Sequence, residues 1–252
     1  MALFTDGALN SIADLRLYEN SILEVVSTEG LDPAAKIRLA QADVANHLLL
    51  FLLRQPLRDP RAGMRRAMGL TDIVVTPPLR HWHALKTLAF IYRDAYNNQL
   101  NDRYLGKCEQ YESLSEQSLL DYLQLGVGWV ANPVPRAGAP LVTTISVDSR
   151  DPNYYVTVTW VNPNGQEGAS SDLMPASGTH LAVGIANMPS SIAAWNVYVG
   201  TEADRTMLQN QAPLSIGYNW VLPDTGLVPG RLPSEGQTPE QLIVHDRLLQ
   251  RG

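Results

Sequence analysis

The chain has 252 residues, 45% of them apolar and 17% charged, which suffices for one large domain or two modest ones. Its net charge of −6 sits mostly after residue 136: residues 1–136 carry 14 Lys/Arg against 15 Asp/Glu, residues 137–252 carry 5 against 10. That sign is opposite to the one expected of a protein that coats nucleic acid, and the lone Cys108 excludes both an intrachain disulfide and a thiolate zinc cluster.

The N-terminus MALFTDGALNS lacks the basic region and apolar run of a signal peptide. Ser11 is positioned to cap a first helix whose Ile12, Leu15, Tyr18, Ile22, Val25 and Val26 recur at helical spacing up to Gly30. Asp32-Pro33 opens a second helix with the stripe Ile37, Ala40, Val44, Leu48, Phe51 and Leu52, closed by Pro56. Its most apolar window, His47–Leu53, is too short for a bilayer, which needs roughly 20 residues. A soluble protein in a reducing cytoplasm is therefore expected. The broken stretch from Leu57 to Thr76 carries Arg58, Arg61, Arg65 and Arg66, with Arg54 just before it. Such a run reads either as a solvated face or as a contact for an acidic partner or phosphates. Thr76-Pro77-Pro78 opens the longest helical signal, continued by Tyr104–Leu125. Asn101-Asp102 divides it into two antiparallel helices, because one helix of such length is rare in a compact domain.

Ala131–Pro140, with three prolines in ten residues, reads as an extended linker. Beyond it, strands are expected at Leu141–Val147, Tyr154–Val161, Gln166–Ser171, Thr179–Ile185, Ala194–Gly200 and Ile216–Leu222. In the central one, Tyr154, Val156, Val158 and Trp160 share a face, and Asn164-Gly165 suits the tight hairpin that follows. The expected apolar faces elsewhere are Thr143/Ile145/Val147, Leu181/Val183/Ile185, Trp195/Val197/Val199 and Tyr218/Trp220/Leu222, with Trp160, Trp195 and Trp220 supplying the bulk of a small sandwich core. After Pro233 the chain is polar, and PSEGQTPE is expected not to pack on the sandwich. A last amphipathic segment, Pro239–Gln250, holds Leu242, Ile243, Leu248 and Leu249 as candidate anchors for a partner groove. The fold class is thus α+β with segregated halves. A helix bundle spans residues 1–130, a linker 131–140, a β-sandwich 141–232 and a tail 233–252.

Reactive chemistry is sparse. His81 and His83 point about 160° apart on a helix and cannot share a metal. Gly126-Val127-Gly128 begins like a dinucleotide fingerprint, but it follows a helix, lacks the third glycine and opens no helix. No catalytic residue, metal or cofactor is expected, and the chain does not read as an enzyme.

The runs YYVTVTWVNPNGQEGASS (154–171), AAWNVYVGTEA (193–203) and LSIGYNWVLPDTGLVPGRLPSEGQTP (214–239) resemble the fibronectin-III-like or immunoglobulin-like domains of tailed-bacteriophage virion proteins. RDAYNNQLNDRYLGKCEQYE (93–112) and LQLGVGWVANPVPR (123–136) resemble the helix bundle of phage head-to-tail connector, or adaptor, proteins. The resemblance implies a virion neck protein made in the host cytoplasm. It implies a ring homo-oligomer, a dodecamer, under the portal protein, contacting tail or nozzle proteins and open to contact with genomic DNA in the channel, with no membrane partner. Within it, Arg61, Arg65 and Arg66 would face an acidic partner or the DNA, and the C-terminal leucines would reach the portal. The alternative is a tail-fibre or baseplate attachment module whose sandwich holds a receptor or glycan through Tyr154, Tyr155, Tyr198 or Tyr218.

Overall fold

The computed structural model describes residues 2–54, 68–145 and 152–244. The chain divides into two units. One comprises Gly7–Trp129 and the stretch from Pro239 onward; the other comprises the residues up to Asp6 and Val130–Thr238. Helices gather in the first and strands in the second, so the protein is a segregated α+β chain.

The helical unit holds α1 (Ile12–Arg16), α2 (Ile22–Thr28), α3 (Pro33–Arg54), α4 (Pro77–Gln99) and α5 (Asp102–Leu125). Ser11 caps α1 through a capping box with Asp14. The expected single first helix is broken in two, because Glu19 turns inward. Its carboxylate accepts hydrogen bonds from Lys107 Nζ (2.7 Å), Tyr111 OH (2.9 Å) and Ser21 Oγ (2.9 Å). Pro77 at the start of α4 suits a turn whose amides have no intrahelical acceptor. Leu100 then adopts a left-handed conformation (φ +50°), and Asn101 caps α5 by accepting from Arg103 N. The two helices run antiparallel: Tyr92 stacks on Tyr111 with ring centroids 5.6 Å apart, and Arg93 pairs with Glu112. Helix α4 is buried nearly all round, packing against both α3 and α5, and α1 and α2 close the core with Leu15, Ile22, Val25 and Val26.

In the second unit, β2 (Leu141–Ile145), β5 (His180–Gly184) and β9 (Trp220–Val221) form one antiparallel sheet in the order β2-β5-β9. The other has the order β4-β3-β6-β7, from β3 (Asn153–Val161), β4 (Met174–Ser177), β6 (Ala194–Gly200) and β7 (Met207–Leu208), with β8 (Leu214–Ser215) also on β6. The chain therefore changes sheet between β2 and β3, β4 and β5, β5 and β6, and β8 and β9, and the inner faces of both sheets share one core. Tyr154, Val156, Val158 and Trp160 all enter that core, as their alternation requires. Trp160 pairs across the strands with Trp195, and Trp220 joins from the opposite sheet. Gly165 turns the hairpin at φ +77°, where a side chain would be strained.

Five expectations need correction. Strand β2 buries Val142 and Thr144 only partly and exposes Leu141, Thr143 and Ile145, so its inward face is one residue off the expected one. Residues 166–171 run beside β3 without becoming a regular strand: Ser171 Oγ accepts the Val158 amide, displacing the ladder. The proline-rich stretch 131–140 is no free linker. Proline removes amide donors without forbidding burial, so Val134 and Ala137 enter the sandwich core, and the Ala137 amide bonds Ala169 O (3.2 Å). The tail also begins packed. Gln237 is buried, accepts from Val134 N (2.9 Å), and donates to Asn132 O (3.1 Å) and Gln166 Oε1 (2.8 Å). The first six residues likewise belong with the strands, since Asp6 accepts the amides of Leu3 (2.7 Å) and Arg136 (2.9 Å).

Because Trp160 is buried against Trp195, Trp160→Ala is expected to destabilise the strand unit by about 3–5 kcal/mol, the range for emptying a buried tryptophan site. Denaturant unfolding followed by far-UV circular dichroism measures it, and a loss below about 1 kcal/mol, the scale of surface changes, would contradict the packing.

Candidate partner-binding surface

Of the residues singled out as partner contacts, Leu242 and Ile243 lie in the described chain, while Arg61, Arg65, Arg66, Leu248 and Leu249 lie outside the described residues, as does Arg58. Leu242 and Ile243 do not form a helix. They belong to β10 (Gln241–Ile243), paired antiparallel with β1 (Val127–Trp129) in the register Val127↔Ile243, Gly128↔Leu242 and Trp129↔Gln241. On the far side of β1, Ile73 bridges Trp129, and the Val74 amide bonds Gly128 O (3.0 Å). The segment expected to be mobile is therefore seated on the helical unit from Pro239 to Val244.

The Gly126-Val127-Gly128 motif finds its role here. A Cβ on Gly126 would meet Leu242 Cβ at 2.9 Å, and Gly126 itself sits at φ +106°. A Cβ on Gly128 would meet Pro239 Cγ at 3.0 Å, Thr76 Cγ2 at 3.1 Å and Val74 O at 3.3 Å. The glycines permit close backbone approach, as in a nucleotide loop, but the ligand is this chain's own C-terminal strand. Val127 is buried beneath it, whereas Leu242 is 58% exposed on an edge strand. An exposed apolar edge is a surface on which another chain can lie.

The polar clusters have a different character. Glu167, overlooked in the sequence because it sits among small residues after the hairpin, is a hub on the outer face of the β3–β6 pair. Its Oε1 accepts from Asn196 Nδ2 (2.9 Å), Tyr198 OH (2.6 Å) and Thr159 Oγ1, and its Oε2 accepts from Arg231 (2.6 Å). Burial pushes this carboxyl up, but the donors outweigh it and hold it below the usual carboxylate range. Asn196 is linked onward to Asn210 (2.8 Å), whose Oδ1 accepts the Val197 amide. The signal available in the sequence was the polar face Thr157/Thr159/Asn196/Tyr198 opposite the core, which needed a polar cover. Each of these groups is spent on holding the 167–171 and 226–231 stretches to the sheet.

His83 is structural too. Both ring nitrogens of buried His83 are engaged: Asn10 Nδ2 donates to Nδ1 (2.8 Å), and Nε2 donates to Ile37 O (3.1 Å). Burial lowers its pKa to about 4, the Ile37 carbonyl opposing weakly. His81 points elsewhere, onto Tyr18. Trp160, Trp195 and Trp220 are core, as expected. Of the four tyrosines considered for glycan contact, Tyr154 and Tyr198 are buried, Tyr155 is half-buried, and Tyr218 is 68% exposed. A cleft of about 220 Å³ beside β6 is lined by Thr201, Glu202, Arg205, Met207 and Gln209. No helix among the described residues is long and apolar enough to cross a membrane.

Two outcomes follow. Gly128→Val is expected to weaken the β1–β10 pairing by the roughly 1–3 kcal/mol typical of overpacking. Amide exchange over Glu240–Ile243 then rises about tenfold or more while α4 stays protected. Unchanged protection there would contradict the close approach. His83 titrates near 4 when folded against 6.5 when free, so the unfolded chain binds more protons between those values. Its stabilising contribution is full above pH 6.5 and lost as pH falls towards 4, by roughly 2–3 kcal/mol. His83→Gln should flatten that part of the pH–stability curve.

No protein-family model, curated protein or solved structure matches the chain.

Proposed function

We propose that this chain is a structural protein of a tailed-bacteriophage virion, a head-to-tail adaptor whose subunits form a ring beneath the portal and link it to the tail. The observation that carries the reading is the C-terminal strand. Beside the connector-like runs 93–112 and 123–136, β10 is anchored on β1 and presents Leu242 and Val244 on an edge that no other strand among the described residues covers. A portal segment added to that edge would gain main-chain hydrogen bonds and an apolar contact without the cost of ordering a free tail. The buried carboxylates, amides and His83 serve the fold, so the accessible surface favours protein association. The attachment-module alternative rests on exposed aromatics, and of its four tyrosines only Tyr218 stands well out of the sandwich.

The test is the mass of the purified chain with and without its cognate portal ring. A ring-sized complex with the portal is expected, and no association at any concentration would overturn the reading. Leu242→Glu, at an exposed position, should weaken the complex about tenfold or more without lowering the melting temperature. Removing the chain from Pro239 onward should abolish attachment.

A further inference from the structure

Helix α3 is apolar on two opposite faces. Ile37, Ala40, Val44, Leu48, Phe51 and Leu52 are buried within the helical unit. On the other side Leu39 is 49% exposed, Leu49 38%, Leu50 52% and Leu53 81%, with Ala42 also exposed. A helix packed on one side only needs one such stripe, so the second is unexplained by the fold.

The outward stripe has a heptad spacing. Leu39, Asn46 and Leu53 are seven residues apart, Ala42 and Leu49 fall between them and Ala35 lies four residues before Leu39, so the face reads as alternating a and d positions of a coiled-coil seam. The single polar residue, Asn46, is exposed at the central a position. An asparagine there is poorly matched to an apolar partner but is satisfied by the same asparagine of an identical helix, and it fixes register and strand number. We propose that α3 pairs with α3 of a second copy of this chain in a parallel, in-register, two-stranded seam with Asn46 facing Asn46. The inference concerns the free chain and does not depend on the connector reading.

The flanking charges agree with the parallel arrangement. Arg38, at a g position, would lie beside Asp43, at the following e position of the other copy. Arg38 has a side chain 71% exposed, and its nearest carboxylate, Asp32, is 4.0 Å away. Asp43 faces Lys86 at 3.0 Å and keeps a third of its side chain exposed. An antiparallel seam of full overlap would set Asn46 against Ala42 and lose both matches. Because α3 is already held helical by α4, pairing orders little backbone. The stripe is about 27 Å long and one helix wide, roughly 270 Å² per copy. That is well under the roughly 800 Å² per partner of a standard stable interface. The pair is accordingly a weak dimer, with Kd on the order of 10–100 µM.

Sedimentation equilibrium over about 1–500 µM, spanning that Kd, tests this on the full chain without portal. The expected result is a monomer–dimer equilibrium that Leu39→Glu with Leu53→Glu shifts at least tenfold towards monomer, with the melting temperature unchanged because both positions are exposed. Asn46→Cys should give a disulfide-linked dimer on mild oxidation, since the native Cys108 is buried and does not compete. A monomer throughout the range, a dimer indifferent to the Leu39/Leu53 pair of changes, or failure of Asn46→Cys to cross-link would each overturn the proposal.

Discussion

The pairing of β1 with β10 is the constraint on which the chain's organisation depends. The helical unit gives up the chain after Trp129 and takes it back at Pro239, and the strand unit, apart from its first six residues, is spelled out in between. Two short strands thus close a very long loop. Loop entropy rises only slowly with length, so a few ladder bonds and a buried Val127 are enough if the strands can approach closely. Gly126 and Gly128 supply that approach.

Each unit also holds a buried polar cluster of its own. In the helical unit Glu19 gathers Lys107, Ser21 and Tyr111, which hold its pKa at about 2 although burial pushes it up. In the strand unit Glu167 gathers three neutral donors and Arg231, and Gln237 ties the entering and leaving stretches to the hairpin. Among the described residues, the outward stripe of α3 and the edge of β10 are the apolar surfaces on which the two proposals rest. The first suits a second copy of the chain and the second an extended segment of another protein, so the two proposed associations use separate surfaces.

The sequence by itself determined the segregation of helices from strands, the N-cap at Ser11, the break at Asn101-Asp102, the hairpin at Gly165 and the inward face Tyr154–Trp160. These follow from local periodicity, capping and backbone sterics, which act over a few residues. The tertiary structure decided the rest. Alternation could not set the face of β2, where Thr143 and Ile145 alternate as plausibly as Val142 and Thr144, and only pairing with β5 fixes it. Composition made 131–140 and 233–239 look loose, yet Val134, Ala137 and Gln237 are buried because partners distant in sequence accept them. The candidate surface was half legible: Leu242 and Ile243 stood out as apolar, but their strand conformation depends on Val127–Trp129, more than a hundred residues away. Gly126 and Gly128 begin like a dinucleotide fingerprint in the sequence, and only the tertiary structure sets Leu242 and Pro239 against them.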